Sequence, residues 1–342
     1  MLRLIGLALC CAIHFTSAHA GLKDYPFRVA AKKVDRETQL LAQNDGPSTV
    51  TAHVAVSGDN MESAARWPMT VVLRPYTSRA LGSVSTADRT RPGSFQYRVS
   101  VQYGDVGSAH SPDARYRLPY ENGSAFIISQ AYGSRLTTHA DAHSEHAVDF
   151  GLPEGTPVLA ARDGLIVDMT LSFYRGGLDP DLRDKANVVL ILHDDGTVAH
   201  YAHLGQRTPA VGRGQYVRAG TLIGYSGDTG YSQGPHLHFA VTRPEVSRDG
   251  VVKHVAIPVL FYAGIPAVEF APQQGMQVTA TYPQTPPALA AKPSVPAPVA
   301  EQPEIEAETS AEISPIDMGL AFLVAMLGLL WLVAPKDTRR TL

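Results

Sequence analysis

The stretch Gly234-Pro235-His236-Leu237-His238-Phe239 places two histidines two residues apart inside an apolar run. Alternate side chains of a β-strand point to the same face of a sheet, so His236 and His238 would project together while Leu237 and Phe239 pack the other way. Two imidazoles on one face of a strand can form part of a metal site. A pair of hydrogen-bonded core histidines fits the same pattern, so the rest of the chain has to decide between the two interpretations.

The composition of the chain excludes several classes of protein. Its 342 residues are enough for two modest domains with accessory segments. A formal net charge of -3 gives no sign of the basic surface that nucleic-acid binding uses. The glycines around the opening stretch lack the strand, loop and helix context of a nucleotide site. Short apolar runs, broken by frequent glycine and proline, favour a β-rich fold.

Residues 1–20 have the features of a secretory signal peptide. Arg3 supplies the positive end, an apolar run follows, and Ala18-His19-Ala20 fits the small-residue pattern of a cleavage site. Cys10 and Cys11 are the only cysteines of the chain, and both lie in this segment. A lipoprotein signal through either cysteine is a weaker alternative. Cleavage after Ala20 would leave a mature protein without a disulfide or a thiol nucleophile.

Residues 21–118 predict a separate β domain. Alternating runs such as 49–56, 69–73 and 95–101 are separated by turn-forming sequences rich in glycine, asparagine and proline. Strands at this spacing are typical of a small sandwich of immunoglobulin-like form. No catalytic constellation stands out in this part of the chain, which predicts a scaffold, a binding module or an inhibitory cover.

Residues 119–272 predict a second domain, which carries nine of the 13 histidines. Three of its segments offer imidazole or carboxylate groups at strand ends near glycine-rich turns. They are His139 to Asp149, His200 to Leu204, and the opening stretch. A catalytic zinc needs three protein ligands and an open position for water, with a neighbouring base to take the proton. These segments contain all of those parts, and they lack the helical His-Glu-x-x-His motif of another metalloprotease class.

The C-terminal part of the chain changes character twice. Residues 273–314 become rich in proline, alanine and glutamate, which predicts a disordered, extended linker. Residues 316–334 are nearly all apolar and predict one transmembrane helix, with a core helix or a sorting signal as alternatives. The basic tail, 335–342, then predicts a cytoplasmic end by the positive-inside rule. The remainder of the chain would face outward.

Several separated motifs together resemble the lysostaphin-type zinc metallopeptidases. In chain order they are Asp149–Val158, Tyr201–Leu204, Val217–Gly224 and the segment from Gly227-Asp228-Thr229-Gly230 to the opening stretch. The resemblance covers residues 119–272 and keeps the order that the motifs have in the family. A looser resemblance links the N-terminal β domain to domains that precede such peptidases in some bacterial proteins.

The resemblance implies an antiparallel β fold with a groove and one Zn²⁺ held by His, Asp and His. Asp149 and His238 match the family's second and third metal ligands. His203 and His236 match its catalytic pair, which acts as base or positions and polarises the water and the scissile carbonyl. The family implies peptidoglycan peptides as substrate, hydrolysed by attack of metal-bound water.

The first metal ligand departs from the common pattern, which has a histidine four residues before the aspartate. Glu145 occupies that position here. In a variant of the family the ligand lies in a longer loop, and the segment from Thr138-His139 to Asp149 is similar to it. The resemblance therefore favours His139 as the first ligand, with His143 and His146 as alternatives and Glu145 as a less favoured one.

The leading hypothesis is a membrane-anchored zinc endopeptidase of the bacterial cell wall. Its position would be the cytoplasmic (inner) membrane, crossed once, with the catalytic domain in the periplasm or outside. One alternative is an inactive lysostaphin-like module that binds peptidoglycan or activates a cell-wall amidase. Another is a peptidase that acts on proteins outside the wall. The bound metal separates the first alternative from the leading hypothesis, and substrate profiling separates the second.

Overall fold

Alternating apolar residues and frequent turns produce a fold that is nearly all β. The structure is a computed structural model that describes residues 17–22, 25–134 and 137–283. The strands of the N-terminal part are β1 (Ser17–Gly21), β2 (Phe27–Val34), β3 (Glu37–Asn44), β4 (Val50–Asp59), β5 (Met61–Glu62), β6 (Met69–Leu73), β7 (Thr77–Thr86), β8 (Ser94–Tyr103) and β9 (Tyr116–Arg117).

The strands of the second part carry the histidine-rich segments. They are β10 (Ala125–Gln130), β11 (Val148–Phe150), β12 (Pro157–Leu159), β13 (Gly164–Thr170), β14 (Gly176–Gly177), β15 (Val188–Leu192), β16 (Val198–Ala202), β17 (Tyr216–Val217), β18 (Leu222–Tyr225), β19 (Gly230–Tyr231), β20 (Leu237–Val246), β21 (Val252–Ile257), β22 (Phe261–Ala263), β23 (Val268–Phe270) and β24 (Gln277–Thr279). One short 3-10 helix, Pro180–Leu182, lies between β14 and β15.

Two four-stranded sheets contain strands β1 to β8 of the N-terminal part, while β9 pairs with β22. Their strand orders are β1-β8-β4-β6 and β2-β3-β7-β5. Buried residues of both sheets, such as Leu40 on β3 and Val54 on β4, belong to one hydrophobic core. The predicted strands 49–56, 69–73 and 95–101 correspond to β4, β6 and β8. The immunoglobulin-like topology stays a prediction.

A nine-stranded antiparallel sheet dominates the second part, with the order β17-β13-β15-β16-β20-β11-β10-β24 and with β21 paired to β20. The long strand β20 is its centre. The first residues of β20 pair with β11 on one side, and its last residues pair with β21 on that side. On the other side, β20 pairs with β16. Three of the histidine-bearing segments therefore converge on one strand.

The two faces of this sheet have different partners. Leu237, Phe239 and Val241 of β20 face the main hydrophobic core, together with Tyr201 of β16. The opposite face carries His238, Ala240 and Thr242 in alternation, as the period of a strand requires. Farther along that opposite face, apolar residues of β13, β15 and β16 join the core of the N-terminal part, namely Leu165, Val167, Leu190, Leu192 and Val198. One face therefore holds both the site residues and the packing of the N-terminal part.

The motif 217–224 spans parts of two strands, and one predicted domain boundary needs correction. A turn at 218–221 separates β17 from β18. Gly220 has a φ of +88° there, a backbone conformation that favours glycine. The folded part also continues beyond the predicted linker start at 273, since β24 pairs with β10 and Tyr282 is buried. The Tyr282 hydroxyl is 2.7 Å from the backbone nitrogen of Leu118, which donates to it.

Several predictions concern residues that the structure does not describe. Residues 1–16 of the predicted signal peptide lie outside the described residues, and so do the predicted transmembrane helix 316–334 and the tail. Strand β1 overlaps the end of that signal and pairs in parallel with β8. Cleavage after Ala20 would remove most of this strand. Within the described ranges, no helix has the length and hydropathy needed to span a membrane.

Candidate metal centre and groove

Asp149 and His238 form a cross-strand pair at the centre of the sheet. Strand β11 pairs with β20 so that Asp149 lies directly opposite His238. Opposed residues of an antiparallel pair share a face, with their Cβ atoms about 5 Å apart. The Asp149 carboxylate accepts a hydrogen bond from Nδ1 of His238, with 2.9 Å between Nδ1 and Oδ1. The register of two strands thus brings these two groups together.

The loop before β11 adds His139 to this pair. Its Nε2 lies 3.2 Å from Oδ2 of Asp149, and both side chains are almost fully buried. One ligand atom from each of His139, Asp149 and His238 lies within 4.8 Å of the other two. Burial alone would raise the pKa of Asp149. Hydrogen bonds from the two imidazoles outweigh that effect and hold the pKa of the carboxyl well below its usual range.

These three residues fit a tetrahedral zinc ion by chemistry and spacing. Two imidazole nitrogens and one carboxylate oxygen are a usual zinc donor set. Ligand atoms at about 2.1 Å from a tetrahedral ion lie about 3.4 Å apart. The two nitrogen–oxygen distances here, 3.2 and 2.9 Å, are close to that spacing. A bound zinc ion would replace the protons that the imidazoles share with the carboxylate.

His203 and His236 lie close to Asp149 and His238, at the end of β16 and just before β20. His203 follows β16 with a φ of +60°, which is uncommon for a non-glycine residue. His236 precedes β20 and forms an isolated bridge with Gly227. The two rings have centroids 4.6 Å apart, and the ring of His203 is 5.9 Å from that of His238. Nε2 of His236 lies 4.0 Å from Oδ2 of Asp149.

Backbone carbonyls determine which nitrogen of each ring carries a proton. Nδ1 of His203 is 2.7 Å from the carbonyl oxygen of Thr229, and Nδ1 of His236 is 2.8 Å from that of Gly234. A carbonyl oxygen only accepts, so each Nδ1 donates, and Nε2 of each neutral ring keeps a free lone pair. Burial and the neighbouring His236 lower the pKa of His203 to about 4, which keeps this ring neutral at neutral pH.

A second set of hydrogen bonds holds the segment that orients His203. The Thr229 hydroxyl donates to the carbonyl of Leu204 at 2.8 Å and accepts from the backbone nitrogen of Asn187 at 2.9 Å. The Asn187 side-chain amide donates to the carbonyls of Leu204 and Phe173. The two ends of the His203 turn and the neighbouring loop are therefore joined through two buried side chains.

Together these residues line an open groove of about 610 Å³. We use the name groove cluster for His139, Asp149, His203, His236 and His238, all of which line it. The structure thus brings together every residue that the sequence analysis assigned to metal binding or catalysis. It also confirms the prediction that His236 and His238 project to the same side while Leu237 is buried in the core.

The alternatives for the first ligand lie elsewhere. His143 packs its ring against His200, with centroids 4.6 Å apart, and not against Asp149. Nδ1 of His146 lies 3.1 Å from the carbonyl oxygen of Ala256 and 3.7 Å from the Glu145 carboxylate. Within the described part of the chain, His139, Asp149 and His238 are the one group with metal-binding spacing.

A second set of histidines occupies the same face of the sheet, toward the N-terminal part. The Thr242 hydroxyl lies 2.8 Å from Nε2 of His200 and 2.7 Å from Nδ1 of His254. The rings of His200 and His254 have centroids 5.4 Å apart. We name His143, His200, His254 and Thr242 the seam cluster. The sequence analysis did not anticipate this cluster. Thr242 lies opposite Ala256 and His254 lies opposite Pro244, so Thr242 and His254 are diagonal neighbours across β20 and β21, which neither segment shows by itself.

Sequence reasoning also missed the residues that orient His203 and His236. Thr229 and Asn187 are ordinary polar residues in glycine-rich or loop sequence, and their partners are as much as 42 positions away. Ser232, whose hydroxyl is 3.4 Å from Nδ1 of His236, is similarly inconspicuous. Thr229 and Ser232 precede the His-x-His motif by a few residues, and this position is the one feature of the sequence that could have indicated them.

The comparison with known proteins assigns this site to a family. Residues 143–250 match the model of peptidase family M23. The matched segment contains Asp149, His203, His236 and His238, and it begins four residues after His139.

Individual proteins of known name are similar to part of the chain. A DD-carboxypeptidase/endopeptidase of Neisseria gonorrhoeae is 38% identical over 115 residues, covering 33% of this chain and 23% of the relative. Lysostaphin of Staphylococcus simulans is 42% identical over 95 residues, covering 28% of this chain and 17% of the relative. The crystallised catalytic domain of lysostaphin is 32% identical, with a TM-score of 0.26, covering 38% of this chain and 87% of that domain. This chain therefore matches less than a quarter of the length of these two full-length relatives.

Proposed function

We propose that this protein is a zinc-dependent endopeptidase that hydrolyses peptide bonds of peptidoglycan. The observation that carries the proposal is the groove cluster, in which a buried carboxylate and four histidines converge on one open groove. Relatives with endopeptidase names and the M23 domain support the substrate class. His139, Asp149 and His238 would hold the zinc, and His203 and His236 would act on the substrate.

The groove cluster has a separate group for each task of peptide hydrolysis. When bound, zinc would supply Lewis acidity to a water molecule and to the scissile carbonyl. Nδ1 of His203 and Nδ1 of His236 each donate to a backbone carbonyl, so Nε2 of either ring, in its neutral form, can accept a proton from attacking water. A ring that has taken that proton can return it to the leaving amine or donate a hydrogen bond to the carbonyl oxygen. The Asp149 carboxylate, held ionised, balances the positive charge that gathers around it.

The test is zinc-dependent release of peptides from purified sacculi. The full chain should release soluble muropeptides with zinc, lose that activity in chelator and recover it when zinc is restored. His238→Ala and Asp149→Ala should each abolish release and reduce bound zinc. Activity that survives both substitutions would contradict the metal assignment. Bound zinc without any hydrolysis would instead favour the non-catalytic binding or amidase-activating alternative.

We also propose that the protein is held at the bacterial cytoplasmic membrane by residues 316–334, with the peptidase domain in the periplasm or outside. The apolar composition of that segment and the basic tail support the proposal. Fractionation of cells that carry the full chain or a chain ending at residue 314 provides the test. Membrane recovery of both forms, or of neither, would contradict the anchor.

A further inference from the structure

Tyr231 is an exposed aromatic side chain on the wall of the groove. It lines the groove together with Leu178, and about 41% of Tyr231 and 55% of Leu178 are exposed. Large apolar side chains at this exposure beside a functional groove are common where a ligand is bound. The proposed hydrolysis itself gives Tyr231 no task, so its position calls for a separate explanation.

The position of Tyr231 along the chain ties it to both catalytic histidines. Thr229, two residues before it, accepts the hydrogen bond from His203. Ser232, the next residue, has its hydroxyl 3.4 Å from Nδ1 of His236. Two residues span at most about 7 Å, so the Tyr231 backbone borders the segments that orient both rings. A ligand group on the Tyr231 ring would therefore lie close to the reacting part of the groove.

Arg183 adds a positive charge at this place. Its guanidinium carbon lies 5.4 Å from the centroid of the Tyr231 ring. Arg183 is exposed, and its guanidinium has no carboxylate within ion-pair distance among the described residues, although Asp181 and Asp184 are close in sequence. Arg162 and Arg213, by contrast, pair with Asp195 and Asp168. The guanidinium of Arg183 is thus free to receive an anionic partner.

The loop that carries Arg183 is fixed to the groove wall. Strands β14 and β19 pair in parallel, with Gly176 opposite Gly230 and Gly177 opposite Tyr231. A Cβ atom on Gly176 would lie 1.7 Å from the carbonyl oxygen of Asp228, so this close approach requires glycine. This pairing connects the segment that precedes Arg183 directly to the strand that carries Tyr231.

The groove lining carries carboxylates, so the positive charge of Arg183 beside it matters for ligand binding. Its lining residues include the carboxylates Asp141 and Asp149, and none of the described lining residues is lysine or arginine. Arg183, stacked on Tyr231, therefore supplies a positive charge beside a groove whose own lining includes carboxylates. A peptide carboxylate at Tyr231 would be attracted to this guanidinium.

We infer that Arg183 and Tyr231 form a carboxylate-binding subsite that selects peptides with a free carboxylate near the bond to be cut. A guanidinium presents a planar pair of donors to a carboxylate, and its stacking on an aromatic ring leaves those donors available. This inference rests on the proposed function and adds a substrate preference to it. The carboxylate can be the C-terminal group of a stem peptide or the side chain of an acidic residue, and the test separates these two sources.

The experiment compares three forms of one synthetic cross-linked stem-peptide dimer. In the first form all carboxylates are free, in the second the C-terminal carboxylates are amidated, and in the third the side-chain carboxylates are amidated. The zinc-loaded full chain, Arg183→Gln and Arg183→Lys are assayed with each form. The matched control is Arg207→Gln, since Arg207 stacks on Tyr225 at 3.9 Å in the same manner. Tyr225 is buried and does not line the groove.

The expected result is a selective change in KM. Arg183→Gln should raise KM for the free form about tenfold, in the range of a charged hydrogen bond, with kcat changed much less. One of the two amidated forms should already have a similarly raised KM with the unsubstituted chain. Arg183→Gln should change the KM for that form much less. The carboxylate amidated in that form is then the one that the subsite binds. Arg183→Lys should recover part of the loss, and Arg207→Gln should behave like the unsubstituted chain.

Two outcomes would overturn the inference. One is an equal effect of Arg183→Gln on all three forms, and the other is the same effect from Arg207→Gln. If the unsubstituted chain hydrolyses none of the forms, the proposed function fails. Calorimetric binding of the same three peptides then decides the subsite on its own. A preference for the free form that is lost in Arg183→Gln supports the subsite, and equal affinity for all forms refutes it.

Discussion

The groove cluster and the seam cluster are built from the same residue type on the same face of one sheet, yet they are organised around different groups. In the groove cluster, His139 and His238 contact the Asp149 carboxylate. In the seam cluster, His200 and His254 contact the Thr242 hydroxyl. A carboxylate between imidazoles creates a site for a cation, whereas a hydroxyl between imidazoles completes a neutral hydrogen-bond network.

The surroundings of the two clusters differ in the same sense. The groove cluster lines an open groove, and backbone carbonyls accept hydrogen bonds from Nδ1 of His203 and Nδ1 of His236. In the seam cluster, His200 and His254 are each about 8% exposed. Burial and the neighbouring His143 lower the pKa of His254 to about 3. The central group and the access of solvent, more than the number of histidines, therefore distinguish the groove cluster from the seam cluster.

The largest expected difference comes from replacing, one at a time, two histidines of the same loop that belong to different clusters. His139→Ala should remove stoichiometric zinc and lower hydrolysis of sacculi at least about 1000-fold, because one of the three proposed zinc ligands is lost. His143→Ala, four positions later in the same loop, should keep both within about threefold, since its ring contacts the seam cluster. Zinc content by elemental analysis and muropeptide release are the two measurements. Loss of zinc in His143→Ala, with zinc retained in His139→Ala, would reverse the assignment of the first ligand.

A smaller effect should follow from a change inside the groove cluster that spares the metal ligands. His203→Gln removes a proton acceptor from the groove and should lower kcat about 100-fold, a typical contribution of a general base. Zinc content should stay at one ion per chain, because His203 is not among the three residues with metal-binding spacing. Steady-state kinetics and elemental analysis on the same preparation test both parts. Zinc lost in proportion to activity would show that His203 serves the metal instead.

These two tests also mark what the sequence could predict. The His-x-His motif predicted a shared face, and the structure has His236 and His238 lining one groove. Asp149 followed from its motif, and the pairing of β11 with β20 explains its position. His139 was harder to choose, because its place depends on the path of an irregular loop and not on a strand period. Its Nδ1 is buried without a hydrogen-bond partner among the described residues, so no polar partner in the sequence points to it.

The seam cluster could not be predicted from the sequence, for a different reason. Its members come from a loop, from β16, from β20 and from the partner strand β21, and only the register of three strands brings them together. In the sequence, nothing distinguishes Thr242 from any other threonine of a strand. The N-terminal part raises the same difficulty, since Val167 and Val198 read as residues of the second domain's own core and instead belong to the core of the first. Such contacts depend on which sheet face is covered, which alternation alone does not specify.

The pH dependence of stability should reveal the buried histidine of the seam cluster. The pKa of His254 is about 3 in the folded chain, against about 6.5 when unfolded, so the unfolded state binds the proton first as pH falls. Stability should therefore fall as pH drops below 6.5, and His254 should account for about 2 kcal/mol between pH 7 and pH 5. Urea unfolding in chelator, which removes the contribution of metal, measures the slope. His254→Gln should flatten it, and an unchanged slope would show that this ring is not kept neutral by the fold.

The smallest expected effect tests the hydroxyl at the centre of the seam cluster. Thr242→Val keeps the shape of the side chain but leaves Nε2 of His200 and Nδ1 of His254 without their shared partner. The free energy of unfolding should fall by about 1 kcal/mol, the lower end for buried polar groups left unpaired, because each ring retains its packing. Zinc content and kcat should not change, since the hydroxyl contacts no residue of the groove cluster. Urea unfolding and sacculus hydrolysis measure the two properties. A large loss of activity at unchanged stability would mean that the two clusters act as one site, contrary to the distinction drawn between them.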